Sequence, residues 1–193
     1  MQTTQSPFDI LRNLAEQAVE VESSRDSASD LSVAKSCIGF SLCGKQMVSA
    51  MGEVVEVSKI LEHTVVPGAK PWLLGISNLR GRLLPLVDLE SFVGSKLIGN
   101  RRLHRVLVVE IGEVFVGLVV SRVFGLKHFT ASQIDSKQSC ENELYAHLIE
   151  SICAEGDEQW LEFSMQRLLA DKQFNDVACT HFSDTKVYAT SVA

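Results

Sequence analysis

The sequence predicts an all-β protein built as two small lobes. Apolar residues recur at a period of two in many short runs, glycine- and proline-bearing turns separate those runs, and helical spacing is confined to short stretches. Two blocks of strands, each closing on a short helix, suggest the two lobes.

The elements follow in chain order. Residues 7–21 carry Phe8, Leu11, Leu14, Ala15, Ala18 and Val19 at the spacing of one helical face, and Pro7 suits the first turn. A helix of this length is marginal alone, so it packs on its own domain or docks to a partner; terminal helices more often do the former. Residues 22–36 are polar and rich in Ser and Asp, and read as a linker. From Cys37 the period becomes two: Ile38, Phe40 and Leu42 alternate with Gly39, Ser41 and Cys43. Gly44-Lys45 marks a turn, and Met47 to Val57 continues extended with a bend at Gly52. After a loop marked by Pro67-Gly68 and Pro71, the stretch from Gly75 to Leu89 reads as a strand, a tight turn at Arg80-Gly81 and a returning strand. Pro85 cannot donate to a ladder, so its strand is expected at an edge or at a bulge. Asp88 should cap a helix over 89–93, with Gly94 just past its end.

The second block repeats the pattern. Strands are expected over 106–111 and 114–120 around Gly112-Glu113, over 121–129 with a break at Gly125, and over 148–154 and 159–163 around Gly156-Asp157. Ser164 should cap a closing helix over 165–170, and periodicity fades from Asp171, so a frayed tail is expected there. The resulting organisation is an N-terminal helix and linker (1–36), one domain (37–170) and a C-terminal tail (171–193).

Composition narrows the function classes. The chain has 193 residues and a net charge of -6. Nucleic-acid binders need a basic face to neutralise phosphates, and Arg101-Arg102-His104-Arg105 alone does not supply one, so a nucleic-acid-binding barrel is disfavoured. The cysteines, Cys37, Cys43, Cys140, Cys153 and Cys179, are odd in number and lack C-x-x-C spacing, which fits reduced thiols in the cytoplasm rather than a disulfide framework or zinc site. Cys37 and Cys43, an even number of residues apart, should share a strand face. The N-terminus has no secretory signal pattern, and no run approaches the ~20 apolar residues a membrane span needs.

Chemistry-bearing patterns are scarce. His63, His104, His128, His147 and His181 show no metal-binding spacing and read as surface or edge residues. There is no nucleophile elbow, phosphate loop or dinucleotide fingerprint. Asp88 and Glu90 could pair as acid and base, but a helix cap and a first-turn carboxylate account for them more simply. No catalytic residue, cofactor or metal is therefore expected, and a small enzyme with a site between the lobes is the weaker alternative. Arg80 and Arg82 flank a glycine at a hairpin tip; on physics alone they serve equally well as solvated tip residues or as a recognition tip.

The stretch Gly75, Asn78-Leu79-Arg80-Gly81, Pro85 and Asp88-Leu89 resembles the signature of the CheW family, and the resemblance extends over most of residues 37–170. Pro7-Phe8-Asp9-Ile10-Leu11, Met51-Gly52-Glu53-Val54, Arg80-Gly81-Arg82-Leu83-Leu84-Pro85, Arg105-Val106-Leu107-Val108-Val109-Glu110 and Val123-Phe124-Gly125-Leu126-Lys127-His128-Phe129 are similar to the members that serve type IV pilus (twitching-motility) chemosensory systems. The resemblance implies two five-stranded β-barrels around a shared apolar region and no catalysis. It also implies a cytoplasmic adaptor, associated with membrane-bound receptor complexes but not inserted in the membrane. Such an adaptor would link the hairpin tip of a methyl-accepting chemoreceptor to the regulatory domain of a CheA-type histidine kinase. Flagellar chemotaxis is the alternative setting. Family positions tied to contacts match Val54, Gly75, Arg80, Val123 and Leu126, and the hairpin adds Asn78, Gly81 and Arg82. One departure is Ser121, where many members carry Asp.

Overall fold

A computed structural model describes residues 33–97, 99–135 and 144–178. The expected helix over 7–21 lies outside the described residues, as do Cys140, Cys179 and His181.

Twelve strands form two six-stranded sheets. They are β1 Val33–Leu42, β2 Lys45–Ala50, β3 Val54–Ser58, β4 His63–Thr64, β5 Leu73–Leu79, β6 Arg82–Asp88, β7 Arg105–Ile111, β8 Val114–Val120, β9 Arg122–Thr130, β10 Ile134–Asp135, β11 Ile149–Glu155 and β12 Glu158–Phe163. The helices are α1 Leu89–Phe92, α2 Met165–Ala170 and α3 Lys172–Asn175. Sheet I runs β10-β11-β12-β2-β1-β9 and sheet II runs β3-β7-β8-β6-β5-β4. Each has five longer strands and one two-residue strand, β10 or β4, at an edge. Each also contains one parallel junction among antiparallel ladders, β12 with β2 in sheet I and β6 with β8 in sheet II.

The two sequence blocks are not the two lobes. The first block places β1 and β2 in sheet I and β3 to β6 in sheet II; the second places β7 and β8 in sheet II and β9 to β12 in sheet I. The parallel junctions couple strands far apart in the chain, Leu161 to Met47 and Leu86 to Gly117, and local periodicity carries no record of that choice.

Burial explains the composition of the strands. The main core joins the sheets: Phe40, Leu42, Met47, Ile149 and Phe163 from sheet I meet Val87, Leu107, Val109, Leu118 and Val120 from sheet II. Each sheet also wraps a smaller core of its own. Cys37, Val48, Phe129, Cys153 and Trp160 fill one, and Leu84, Leu86, Val106, Val108 and Val119 fill the other. Strands such as β7 are therefore buried on both faces, which is why Val106 to Val109 reads as an unbroken apolar run. Each such side chain contributes about 1.5–3 kcal/mol of transfer free energy. Gly117 fits this crowding, since a Cβ there would approach Leu86 Cδ2 to 2.7 Å and Val106 Cγ1 to 2.8 Å.

Several expectations hold in detail. The Asp88 carboxylate accepts from the Ser91 amide at 3.0 Å and from the Ser91 hydroxyl at 2.7 Å, capping α1, so both oxygens are committed to the cap. Ser164 caps α2 by accepting from the Arg167 amide. Others are corrected. β1 begins at Val33, four residues inside the expected linker, because β9 supplies pairing partners from Thr130 onward. Pro85 lies on an inner strand. Pairs alternate outward from the hairpin-closing Leu79–Arg82 pair, so Pro85 occupies a non-hydrogen-bonded site opposite Ile76. Its nitrogen then faces β8, whose ladder with β6 begins only at Leu86.

The chain from 171 to 178 does not fray. Asp171 caps α3, Phe174 is buried and stacks on Trp72 at 5.9 Å, its ring edge-on to Phe92 at 5.2 Å, and Ala178 bridges to Ala69. One aromatic in an aperiodic stretch gave no periodic signal. Cys37 and Cys43 do not share a face: Cys37 lies in the sheet I core, whereas Cys43 occupies the β1–β2 turn beside the main core. His104 is not a surface residue; it is buried, and neither ring nitrogen has a hydrogen-bond partner among the described residues.

A hairpin tip and an exposed sheet edge as the candidate functional site

The expected site residues fall into two groups on different sheets. The first is the β5–β6 hairpin. Arg80 and Gly81 both take positive φ, 53° and 88°, the geometry of a two-residue turn that matches strand twist. Asn78 Oδ1 accepts from the Gly81 amide at 2.8 Å, locking that turn. Gly75 is a steric requirement of the same hairpin. It has φ of 150°, and a Cβ would lie 2.3 Å from the Thr64 carbonyl oxygen on β4.

The two arginines differ. Arg82 Nη2 donates to Glu110 at 2.9 Å, and its guanidinium sits 3.8 Å from the Phe115 ring centroid. Glu110 pairs directly with Phe115, so Arg82 closes a row running from β6 across β8 to β7. Arg80 makes one ion pair, Nη2 to Glu56 on β3 at 3.1 Å, yet its side chain is 79% exposed. Exposed pairs of this kind contribute about 0–1 kcal/mol. Arg82 thus acts mainly within the sheet, and Arg80 presents most of its donors outward. Beside them Ile76 and Leu83 are exposed and line an open depression of about 570 Å³ together with His63, Thr64 and Asn78.

The second group lies on β9, the edge of sheet I. Gly39 pairs with Gly125 and Phe40 with Val123, which leaves Phe124 unpaired as a bulge, with Gly125 at φ of 91°. In a regular strand Val123 and Leu126, three apart, would face opposite sides. The bulge re-phases the strand: Val123 sits opposite Phe40 and Leu126 opposite Ile38, so both lie on the face of the main core. Phe124 turns the other way and meets Trp160 edge-on at 5.4 Å. Val123 is half-buried and Leu126 is 52% exposed. Val54, at the start of β3, belongs to the main core and is only 8% exposed, so it offers little surface to a partner. The structure thus places Val123 and Leu126 on one face of β9, Val54 in the main core that Val123 packs against, and Gly75, Asn78, Arg80, Gly81 and Arg82 separately on the β5–β6 hairpin. His128, expected only as a surface or edge residue, lies on the same face as Leu126 and is bonded through Nδ1 to the Ser36 hydroxyl at 3.0 Å; the register reveals its place. The Ser121 hydroxyl donates to the Ser41 carbonyl at 3.3 Å, a short-range tie to β1.

The best-defined buried charge is structural. Glu162 is buried, bonded by the Ser151 hydroxyl at 2.5 Å and paired with Lys35. Burial pulls the Lys35 ammonium down, but the Glu162 hydrogen bond and charge more than offset it, so its net shift is upward and the pair ties β1 to β12. Among the described residues no cluster of three or more His, Cys, Asp or Glu side chains could hold a metal ion, and no helix is long and apolar enough to cross a membrane.

Comparison with known proteins agrees with this architecture. The sequence profile of the CheW-like domain matches residues 36–173. Protein PilI of Pseudomonas aeruginosa is 35% identical over 178 residues, covering 92% of this chain and 99% of that protein. Because at most fifteen residues fall outside that match, it takes in the greater part of residues 1–32. Chemotaxis protein CheW of Thermotoga maritima is 34% identical over 42% of this chain and 52% of its own. Among solved structures, the scaffolding protein TtCheW from Thermoanaerobacter tengcongensis superposes with a TM-score of 0.61 at 25% identity, over 68% of this chain and 89% of that one.

Proposed function

Because the chain belongs to the CheW-like domain family, we propose that it is a non-catalytic cytoplasmic adaptor that couples a methyl-accepting chemoreceptor to a CheA-type histidine kinase. The setting we assign is control of type IV pilus twitching motility, on the strength of similarity to Protein PilI along nearly the whole chain. The observation that carries the adaptor reading is the presence of exposed apolar residues on two different sheets: Leu126, beside half-buried Val123, on sheet I, and Ile76 and Leu83 at the hairpin of sheet II. An adaptor needs two faces that can be occupied together. The sheet I face takes the receptor's helical tip, an apolar groove receiving an amphipathic helix. Arg80 adds a directional charged contact. Kinase activity then shifts only as far as the assembled contacts differ between its active and inactive states.

Affinity measurements on purified receptor-tip and kinase-regulatory fragments test this. Arg80→Glu should weaken binding by ~2 kcal/mol or more, roughly thirty-fold, if Arg80 is an interface anchor. Its melting temperature should stay close to that of the parent, since the Glu56 pair is exposed. Leu126→Asp should weaken receptor binding and spare the kinase. Unchanged affinity of Arg80→Glu for both partners removes Arg80 from the interface, and equal losses for both partners in Leu126→Asp remove the assignment of that face to the receptor.

A further inference from the structure

β9 is a nine-residue edge strand, and the described residues pair it on one side only, with β1. It exposes Leu126 at 52% on the Val123 side, and Phe124 at 38% on the other. A long edge with exposed apolar side chains is a site of unwanted pairing, and proteins commonly cover such edges with a helix or loop. We propose that the cover is this chain's own N-terminal segment, residues 7–21, laid along the Val123–Leu126 face of β9.

Chain geometry brings the segment there. The described chain begins at Val33, which pairs with Thr130 at the end of β9 itself. Residues 22–32 can span up to roughly 35 Å when extended. Leu126 lies about 13 Å along the strand from Thr130, at ~3.3 Å per residue. A helix over 7–21 would be about 22 Å long, comparable to β9 at about 30 Å.

Chemistry matches as well. Leu11, Leu14 and Val19 belong to the apolar stripe of residues 7–21, which a helix of this size cannot keep in water. Residues 7–22 carry Asp9, Glu16, Glu20 and Glu22 against Arg12 alone, and β9 has no carboxylate to repel them; its Arg122 and Lys127 belong to the other face of the strand, where Lys127 pairs with Glu155. The match to the relative that is similar along nearly the whole chain takes in at least residues 16–21 of the segment, although the family domain begins only at residue 36.

The consequence rests on the receptor assignment made above: the segment occupies the face a receptor tip would take, and so lowers apparent receptor affinity by the fraction of time it is docked. Methyl NMR of the full-length chain tests the docking directly. Nuclear Overhauser contacts are expected between Leu126 or Val123 methyls and those of Leu11 and Leu14. The double substitution Leu11→Asp, Leu14→Asp should shift the Leu126 and Val123 methyls, leave those of Leu84 and Val106 in place, and tighten binding of a receptor-tip hairpin about three-fold or more. Absence of the contacts together with unmoved Leu126 resonances overturns the proposal. So do contacts that grow with protein concentration, which assign the cover to a second copy. Contacts present with tip affinity unmoved leave the docking standing and refute the receptor assignment of that face.

Discussion

Gly75→Ala separates a structural glycine from a binding one. At φ of 150° an L side chain is strained, which costs about 1–3 kcal/mol. The added Cβ would lie 2.3 Å from the Thr64 carbonyl oxygen and 3.1 Å from His63 Cδ2, and the obstacle is backbone that cannot rotate away. β4 must move off β5 by about 1 Å to restore contact distance. That motion breaks the His63–Ser77 and Thr64–Ile76 pairing and the 2.7 Å bond from the Ser77 hydroxyl to the Glu62 carbonyl. Two hydrogen bonds at about 1 kcal/mol each, added to the strain, give a loss of about 3–5 kcal/mol. For a domain of this size that is roughly 10 °C in melting temperature. Urea denaturation followed by tryptophan fluorescence reads it, with receptor and kinase affinities corrected for the folded fraction. A destabilisation below about 1 kcal/mol with a large loss of affinity would refute the steric reasoning and return Gly75 to the interface.

Phe174→Ala should cost about 3 kcal/mol by emptying the stack between Trp72 and Phe92, and should red-shift Trp72 emission; an unmoved spectrum and urea midpoint would mean that α3 does not pack there. Burial, with Glu162 adding to it, pushes the Cys37 thiol up to about 11, so maleimide should label this residue far more slowly in the folded chain than in urea at pH 8. The folded thiol holds its proton above its ordinary value of 9.0, so this contribution to stability is whole below pH 9 and is lost as the pH rises towards 11, which an alkaline denaturation series in Cys37→Ser would flatten. His104→Phe removes two buried nitrogens that lack partners and should leave stability equal or raise it by up to about 1 kcal/mol; a loss above 2 kcal/mol would show that the imidazole makes a bond essential to the loop before β7.

Two arginines flanking one glycine are alike in sequence, and their difference was decided by neighbours. Arg82 meets Phe115 and Glu110 only because β6, β8 and β7 lie side by side, while Arg80, at the turn itself, remains exposed. The same holds for Val123 and Leu126. Resemblance to a family singled them out, but a period-two reading puts residues three apart on opposite faces, and only the bulge at Phe124 unites them. Gly125 was legible as a break in the strand; which residue it displaced was not.

By itself the sequence determined what depends on local physics: the strands and their turns, the Asp88 and Ser164 caps, the tight turn at Arg80-Gly81 and, through Gly75 to Leu89, the family. Those features are written in period, φ preference and capping chemistry within a few residues of one another. The tertiary structure decided how the strands were shared. It split each sequence block between two sheets through the β12–β2 and β6–β8 junctions, buried His104, and drew Phe174 back onto Trp72. Those outcomes depend on contacts between residues as far apart as Met47 and Leu161, where packing and register compete across the whole chain and no local pattern records the winner.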